Sequence, residues 1–335
     1  MTDRTRNPIA TTEKLNLGGV GQWVVIRGQD AANPLLLVLA GGPGGSELGW
    51  FRTHNAALEE HFTVVHWEQR GAGKSFPLLV TDRRHMTPAQ YVADGLELTG
   101  QLRQRFGQDR IYLVGHSWGT FLGVWMAQQR PEWFSAYVGV GQMVSPAQND
   151  PLQYEWTLQR ARRNGDTNVV NKLERYGPPP YRGNRITVAR RYAHTTLPNF
   201  RYMAEDIRAA GGTPAGGDIA TMVNTPEYRP VDKLFAIAGV ALTFGVVYPQ
   251  LEQVDLAIQA AELAVPVYLV EGRYDTNALP VLAERYLEVM RAPHKQLIWF
   301  ESSGHNPCFE EPERFNAFMV DTVLAETRTP SDATF

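Results

Sequence analysis

Residues 111–123 read IYLVGHSWGTFLG, an apolar run that leads into a serine with a glycine two positions away on each side. Ile111–Val114 is a short run of aliphatic and aromatic residues, the composition of a strand buried on both faces. A helix is expected after Ser117, ending near Arg130-Pro131. Ser117 therefore stands where a strand passes directly into a helix. So tight a turn crowds the backbone at its apex and needs small residues two positions before and after. Gly115 and Gly119 stand at those positions. A turn of this kind pushes the serine hydroxyl clear of the main chain. It also puts the Trp118 amide at a helix start, where it can face a developing oxyanion.

Outward from this junction the same grammar repeats. Leu35–Leu39 (LLLVL) ends in AGGPGG, and Phe62–Trp67 (FTVVHW) ends in EQRGAG. Lys14–Arg27 (KLNLGGVGQWVVIR) reads as two short strands around a Gly-rich turn. Thr87 is a helix cap followed by Pro88 and Gln90. Tyr91, Val92, Leu96, Leu102 and Phe106 then supply one apolar stripe, and Gly107 a stop. Downstream, Val265–Val270 (VPVYLV) ends in EGRYD and Leu297–Phe300 (LIWF) ends in ESSGH. A last helix places Phe315, Phe318, Met319, Thr322 and Val323 on one face. Between these halves the pattern breaks. Residues 145–230 hold PPP at 178–180, GGTPAGGD at 211–218, few strand-like runs and short helical stretches. The fold expected is α/β, with a mainly parallel sheet flanked by helices. Its core is 1–143 and 251–335, with a mostly helical cap over 144–250.

Composition sets bounds. The chain has 335 residues, 43% hydrophobic and 20% charged, with a net charge of -3. No basic or acidic run breaks the balance, so nucleic acid and anionic membrane are not expected partners. A single cysteine, Cys308, excludes an internal disulfide and suits a reducing cytoplasm, the expected location. The polar start MTDRTRNPIATTEKLN lacks the apolar core of a secretory signal. The most apolar run, Leu234–Val247, has 14 residues and reads as a buried helix, short of the ~20 that span a membrane. No repeat, no HExxH and no other metal-ligand cluster is visible, so no metal or cofactor is expected.

Four stretches carry a resemblance: AGGPGG at 40–45, WEQRGAGKS at 67–75, GHSWG at 115–119, and the pair GRYD (272–275) with SGH (303–305). Together they resemble the α/β-hydrolase superfamily, and within it the proline-iminopeptidase-like branch. The resemblance spans the chain except the insertion. It departs in two places, with Ala40 where the branch usually has His and Glu68 where it usually has Asp.

In such a fold the base and the acid that orients it lie on loops after later strands, in the chain order serine, acid, histidine. His305 directly follows a strand-like run after the insertion. Asp275 follows VYLVEGRY in the same way, with Glu271 and Glu301 as weaker acid candidates at strand ends. Ser117, Asp275 and His305 are the expected catalytic set. The resemblance implies a second oxyanion amide in AGGPGG, assigned to Gly42 with Gly41 the near alternative, and a cis Gly42–Pro43 bond. Arg70 is expected to tie loops together, and Cys308 to be a packed residue.

The expected function is that of a metal-free serine hydrolase working through an acyl-enzyme. The resemblance implies removal of an N-terminal residue from small peptides or amides. The insertion lacks the branch's Trp-rich and Ile-Glu-x-His-like segments, and Glu155, Glu205, Asp206 and Glu227 read there as solvated surface. An ester, lactone or amide of a small metabolite is therefore the alternative substrate. A catalytically silent binding protein is the alternative of another class. Tyr154, Trp156, Tyr176, Tyr181, Tyr192, Phe200 and Tyr202 are expected to pack the cap, some of them lining a pocket above Ser117.

Overall fold

The expected Gly-rich turn joins β1 (Ile9–Leu17) to β2 (Val20–Gly28), an antiparallel pair whose connecting Gly18 and Gly19 both have positive φ. The computed structural model describes residues 6–327, so the outermost parts of the expected core, 1–5 and 328–335, lie outside the described residues. The remaining strands are β3 (Leu35–Leu39), β4 (Thr63–Glu68), β5 (Ile111–His116), β6 (Phe134–Val140), β7 (Val267–Gly272) and β8 (Lys295–Phe300). They form one eight-stranded sheet in the order β1-β2-β4-β3-β5-β6-β7-β8. β2 runs antiparallel to β4, and from β4 to β8 every neighbouring pair is parallel.

The parallel strands alternate their side chains between two apolar cores. Leu37, Leu39, Val65, Leu113 and Leu269 face one, which takes in the helices Pro88–Phe106, Trp118–Gln129 and Pro280–Val289. Leu36, Val38, Val64, Val114 and Val270 face the other, with Phe51, Phe315 and Met319. That arrangement explains why these strands read as unbroken apolar runs. It also puts the carboxyl ends of β3 to β8 along one edge, where the loops beginning at Ala40, Gln69, Ser117, Gly141, Arg273 and Glu301 gather.

Several sequence expectations need correction. β6 escapes the sequence reading because FSAYVGV is interrupted by a serine and a glycine. β7 starts at Val267, since Pro266 has no N–H for the ladder. β8 starts at Lys295, where an edge strand carries Lys295 and Gln296 exposed. Among the described residues the chain between β6 and β7 forms helices and loops, and its helices are not short: Pro146–Arg163 has 18 residues and Arg185–Ala209 has 25.

The run Leu234–Val247 is not one buried helix. It belongs to a helical stretch from Pro230 to Leu251, 22 residues whose length and composition match those of a membrane span, with one third buried. Leu234 is 66% exposed and Val240 43%, whereas Ala236 and Gly239 are buried. The reason is close backbone approach. A Cβ on Gly239 would come within 2.6 Å of the Gly44 carbonyl and 2.8 Å of the Gly71 carbonyl. Small residues therefore make the contact and the large apolar ones are left facing outward.

Candidate active site

β5 ends at His116 and the helix Trp118–Gln129 begins one residue later. Ser117 between them has φ 52° and ψ -118°, and it is the sole non-glycine residue with positive φ among the described residues. Such a conformation costs about 1–3 kcal/mol and persists when its surroundings enforce it. They do so here. The Ser117 N–H donates to the Val140 carbonyl at 3.0 Å. A Cβ on Gly115 would lie 2.5 Å from the Gly119 carbonyl, and one on Gly119 would lie 1.9 Å from the Leu39 carbonyl. Both glycines are therefore required by contact, as the sequence junction implied.

His305 and Asp275 arrive from the loops after β8 and β7. His305 Nε2 lies 2.9 Å from Ser117 Oγ, and His305 Nδ1 lies 2.8 Å from Asp275 Oδ2. Asp275 Oδ1 accepts the N–H groups of Asn277 at 2.7 Å and Ala278 at 2.9 Å. The carboxylate is thus held at both oxygens, and its second oxygen directs the imidazole. Asp275 and His305 are 3% and 2% exposed, so bulk water does not compete for these bonds. Neither weaker acid candidate shares this position. Glu271 Oε1 accepts the Gln142 N–H at 2.9 Å. Burial, with Asp275 nearby, pushes its carboxyl well above the usual range. Glu301 pairs with Arg273 at the surface.

Two backbone amides near Ser117 have no acceptor among the described residues. Trp118 N–H opens its helix, and no acceptor for it is found among the described residues. Its indole N–H donates to Gln69 Oε1 at 3.0 Å, and Gln69 Nε2 donates to the Ala40 carbonyl at 3.2 Å, which joins the elbow to the loop after β3. In that loop Gly41 N–H is already committed to Glu47 Oε1 at 2.8 Å. Gly42 N–H has no such commitment among the described residues, which favours it over Gly41. Gly42 has φ 128°, its bond to Pro43 is cis, and a Cβ there would lie 2.5 Å from the Gly45 amide.

The surrounding charges are structural ties. Arg70, fully buried, pairs with Asp94 and Asp82 and donates to the Leu17 and Gly18 carbonyls. Glu68, the departure from the usual Asp, accepts from Ser46, from the Lys74 N–H and from Tyr228 of the helical segment. Its longer reach spans all three. Cys308 is fully buried and burial pushes its thiol well up, so it offers no thiolate. Glu310 accepts the Gly304 N–H at 2.7 Å, next to His305. Burial pushes its carboxyl up to about 8.

A pH consequence follows for Glu310. Between the ordinary carboxyl value of 4.5 and about 8 the folded chain holds one more proton here than the unfolded chain. This contribution to stability is complete below 4.5 and is lost as pH rises through about 8. Glu310→Gln keeps an acceptor for Gly304 and should flatten that part of the profile. Urea midpoints from pH 5 to 9 check it, and equal slopes in both proteins would refute the assignment.

Three participants escaped the sequence reading. Asn277 Nδ2 lies 3.0 Å from His305 Nε2, the nitrogen that also faces Ser117. Gln153 Nε2 donates to Asn277 Oδ1 at 2.7 Å, and Asn149 binds the Asn277 carbonyl and the Leu279 N–H. Asn149 and Gln153 lie on the first helix after β6. Single amides carry no pattern that a sequence can reveal. Glu227, read as solvated, is instead paired with Arg52 at 2.7 Å, its side chain 9% exposed. Glu155 and Glu205 are exposed, and Asp206 pairs with Arg160. The Phe200 ring packs 5.8 Å from the His305 ring, while Tyr154, Tyr181, Tyr192 and Tyr202 are buried within the helical segment. Tyr181, Tyr192 and Tyr248 line a cavity of about 190 Å³ with Asp150, whose carboxyl burial pushes up to about 6.

The sequence model of the alpha/beta hydrolase fold matches residues 34–312. The chain belongs to the alpha/beta hydrolase fold family. This hydrolase is 28% identical over 312 residues to a probable aminopeptidase, YbaC, of Bacillus subtilis (strain 168), covering 92% of this chain and 95% of that one. It is 25% identical over 299 residues to a proline iminopeptidase of Heyndrickxia coagulans, covering 85% and 89%. Among solved structures it superposes on a proline iminopeptidase of Mycobacterium smegmatis with a TM-score of 0.64 and 19% identity, covering 95% and 99%. It superposes on VinJ with a TM-score of 0.66 and 20% identity, over 95% and 99%. At these identities the solved structures establish the fold, and the hydrolase has proline-iminopeptidase-like relatives.

Proposed function

We propose that this hydrolase is a serine hydrolase that forms an acyl-enzyme on Ser117. The observation that carries the reading is the unbroken chain from Ser117 Oγ to His305 Nε2 at 2.9 Å and from His305 Nδ1 to Asp275 at 2.8 Å. Ser117 Oγ attacks the substrate carbonyl while its proton passes to His305 Nε2. Asp275 holds the Nδ1–H tautomer and stabilises the imidazolium. The oxyanion is met by the amides of Trp118 and Gly42. His305 then returns the proton to the leaving group, and water repeats the cycle on the ester. Residues 144–250 act as a cap over this edge of the sheet. Their grip on the loop bearing Asp275, through Asn149 and Gln153, supports that role.

The substrate class is release of an N-terminal residue from a small peptide or amide. Support comes from the aminopeptidase and proline iminopeptidase names of relatives that match most of the chain. One observation favours a second reading, an ester or amide of a small metabolite. Glu155, Glu205, Asp206 and Glu227, acidic residues of the insertion that an ammonium site could draw on, are exposed or paired with arginines. Prolyl arylamides, their N-acetylated forms and aryl esters of similar size separate the two. An aminopeptidase turns over the free amine at least tenfold faster than the acetylated compound. Equal rates would exclude that specificity, and rates confined to the esters would select the second reading.

A further inference from the structure

Glu47 and His116 lie beside the site, and the proposed chemistry does not use them. Both are buried, with side chains 3% and 5% exposed. Glu47 Oε1 accepts the Gly41 N–H at 2.8 Å and lies 2.5 Å from His116 Nδ1. His116 Nε2 lies 3.0 Å from the carbonyl oxygen of His305. A carbonyl only accepts, so Nε2 carries a proton. The bond between Nδ1 and the carboxylate needs a second. The ring is therefore an imidazolium held by a carboxylate, or it shares that second proton with Glu47. Its neighbours agree. Burial alone pulls His116 down, but Glu47, the His305 carbonyl and Asp275 together raise it above its ordinary value. The rings of His305 and Phe309 pack against it at 5.1 and 6.0 Å. Glu47 Oε2 is buried and has no hydrogen-bond partner among the described residues.

The two side chains tie together three separate segments. Gly41 lies in the loop after β3, His116 immediately precedes the nucleophile, and the His305 carbonyl belongs to the loop after β8. We infer that Glu47 and His116 form a positioning pair that fixes the Gly42 amide and the His305 imidazole relative to Ser117. The inference rests on the serine-hydrolase reading. Gly41 N–H is one residue from the Gly42 amide, so pinning the first limits where the second can point. The bond to the His305 carbonyl holds the backbone from which the base projects. Displacement of about 1 Å in either element can cost on the order of a hundredfold in rate. The transition state needs both elements, and ground-state binding needs neither.

Glu47→Gln tests this, because glutamine can still accept from Gly41 but cannot carry the charge that keeps His116 doubly protonated. The expected result is a fall in kcat of about 10- to 100-fold with KM within threefold. Affinity for a boronate that forms a tetrahedral adduct on serine should fall in parallel with kcat/KM. His116→Gln should give a similar loss, and the double variant should fall little further, since the pair acts as one unit. His116→Gln read alone by the same kcat and boronate measurements decides the matter if Glu47→Gln does not fold. A folded variant with kcat within twofold of wild type, or losses that multiply in the double variant, would overturn the inference. Fluorophosphonate labelling of wild-type Ser117 keeps the two levels apart. If the label is absent the serine reading itself fails, and if it is present with no kcat effect only the positioning pair fails.

Discussion

Ser117→Ala is expected to lower kcat by about a millionfold, the scale seen when the nucleophile of such a set is removed. The size follows from how much of the site converges on one atom. The strained φ of Ser117, the enforced glycines and the 2.9 Å approach of His305 all serve the position of Oγ. No neighbour can replace it. Cys308 is buried as a neutral thiol, and Ser303, also near the base loop, is bound to Glu311 at 2.7 Å. The variant should fold about as stably as wild type, because the one side-chain partner of the lost hydroxyl, His305 Nε2, keeps the Asn277 amide at 3.0 Å. Steady-state turnover of the best arylamide or ester, with circular dichroism to check folding, measures the effect. Residual activity above a thousandth of wild type would mean that another group attacks the substrate.

Asp275→Asn should cost about ten-thousandfold in kcat. Asp275 Oδ1 is committed to the amides of Asn277 and Ala278. An asparagine keeping those bonds turns its NH2 toward His305 Nδ1. Two donors cannot share that bond, so the ring moves its proton to Nε2. The nitrogen facing Ser117 then has no lone pair with which to accept a proton. Glu271 cannot substitute, since its carboxyl is turned to the Gln142 N–H and burial pushes it well above the usual carboxylate range. Glu271→Gln, by contrast, should leave kcat within a few fold. A loss below tenfold in Asp275→Asn, in folded protein, would show that the carboxylate does not orient the base.

How much the sequence discloses depends on the range of the interaction. β3, β4 and β5 are legible because strands buried on both faces must be apolar throughout, and each ends at a glycine-bearing turn. The elbow is legible because Gly115 and Gly119 are demanded by contacts with Gly119 and Leu39, local or one strand away. β6 is hidden by its own serine and glycine, and the first two residues of β8 by the polarity of an edge. The helical stretch through Leu234 reads as buried because hydropathy reports composition. The face it buries is chosen by Ala236 and Gly239, whose value lies in being small. The polar links are the least legible. Glu47 meets His116 across 69 positions and Gln153 meets Asn277 across 124. No periodicity encodes a pairing between residues so far apart on separate elements, so those residues emerge only once the sheet has brought its strand ends together.

The central claim is that Ser117 becomes covalently acylated. Intact-protein mass spectrometry after brief exposure to a fluorophosphonate tests it most directly, with the adduct located by fragmentation of the proteolytic peptides. One adduct per chain is expected, on Ser117, lost in Ser117→Ala and formed far more slowly in His305→Ala. An adduct on another residue, or one that persists undiminished when Ser117 is alanine, would contradict it.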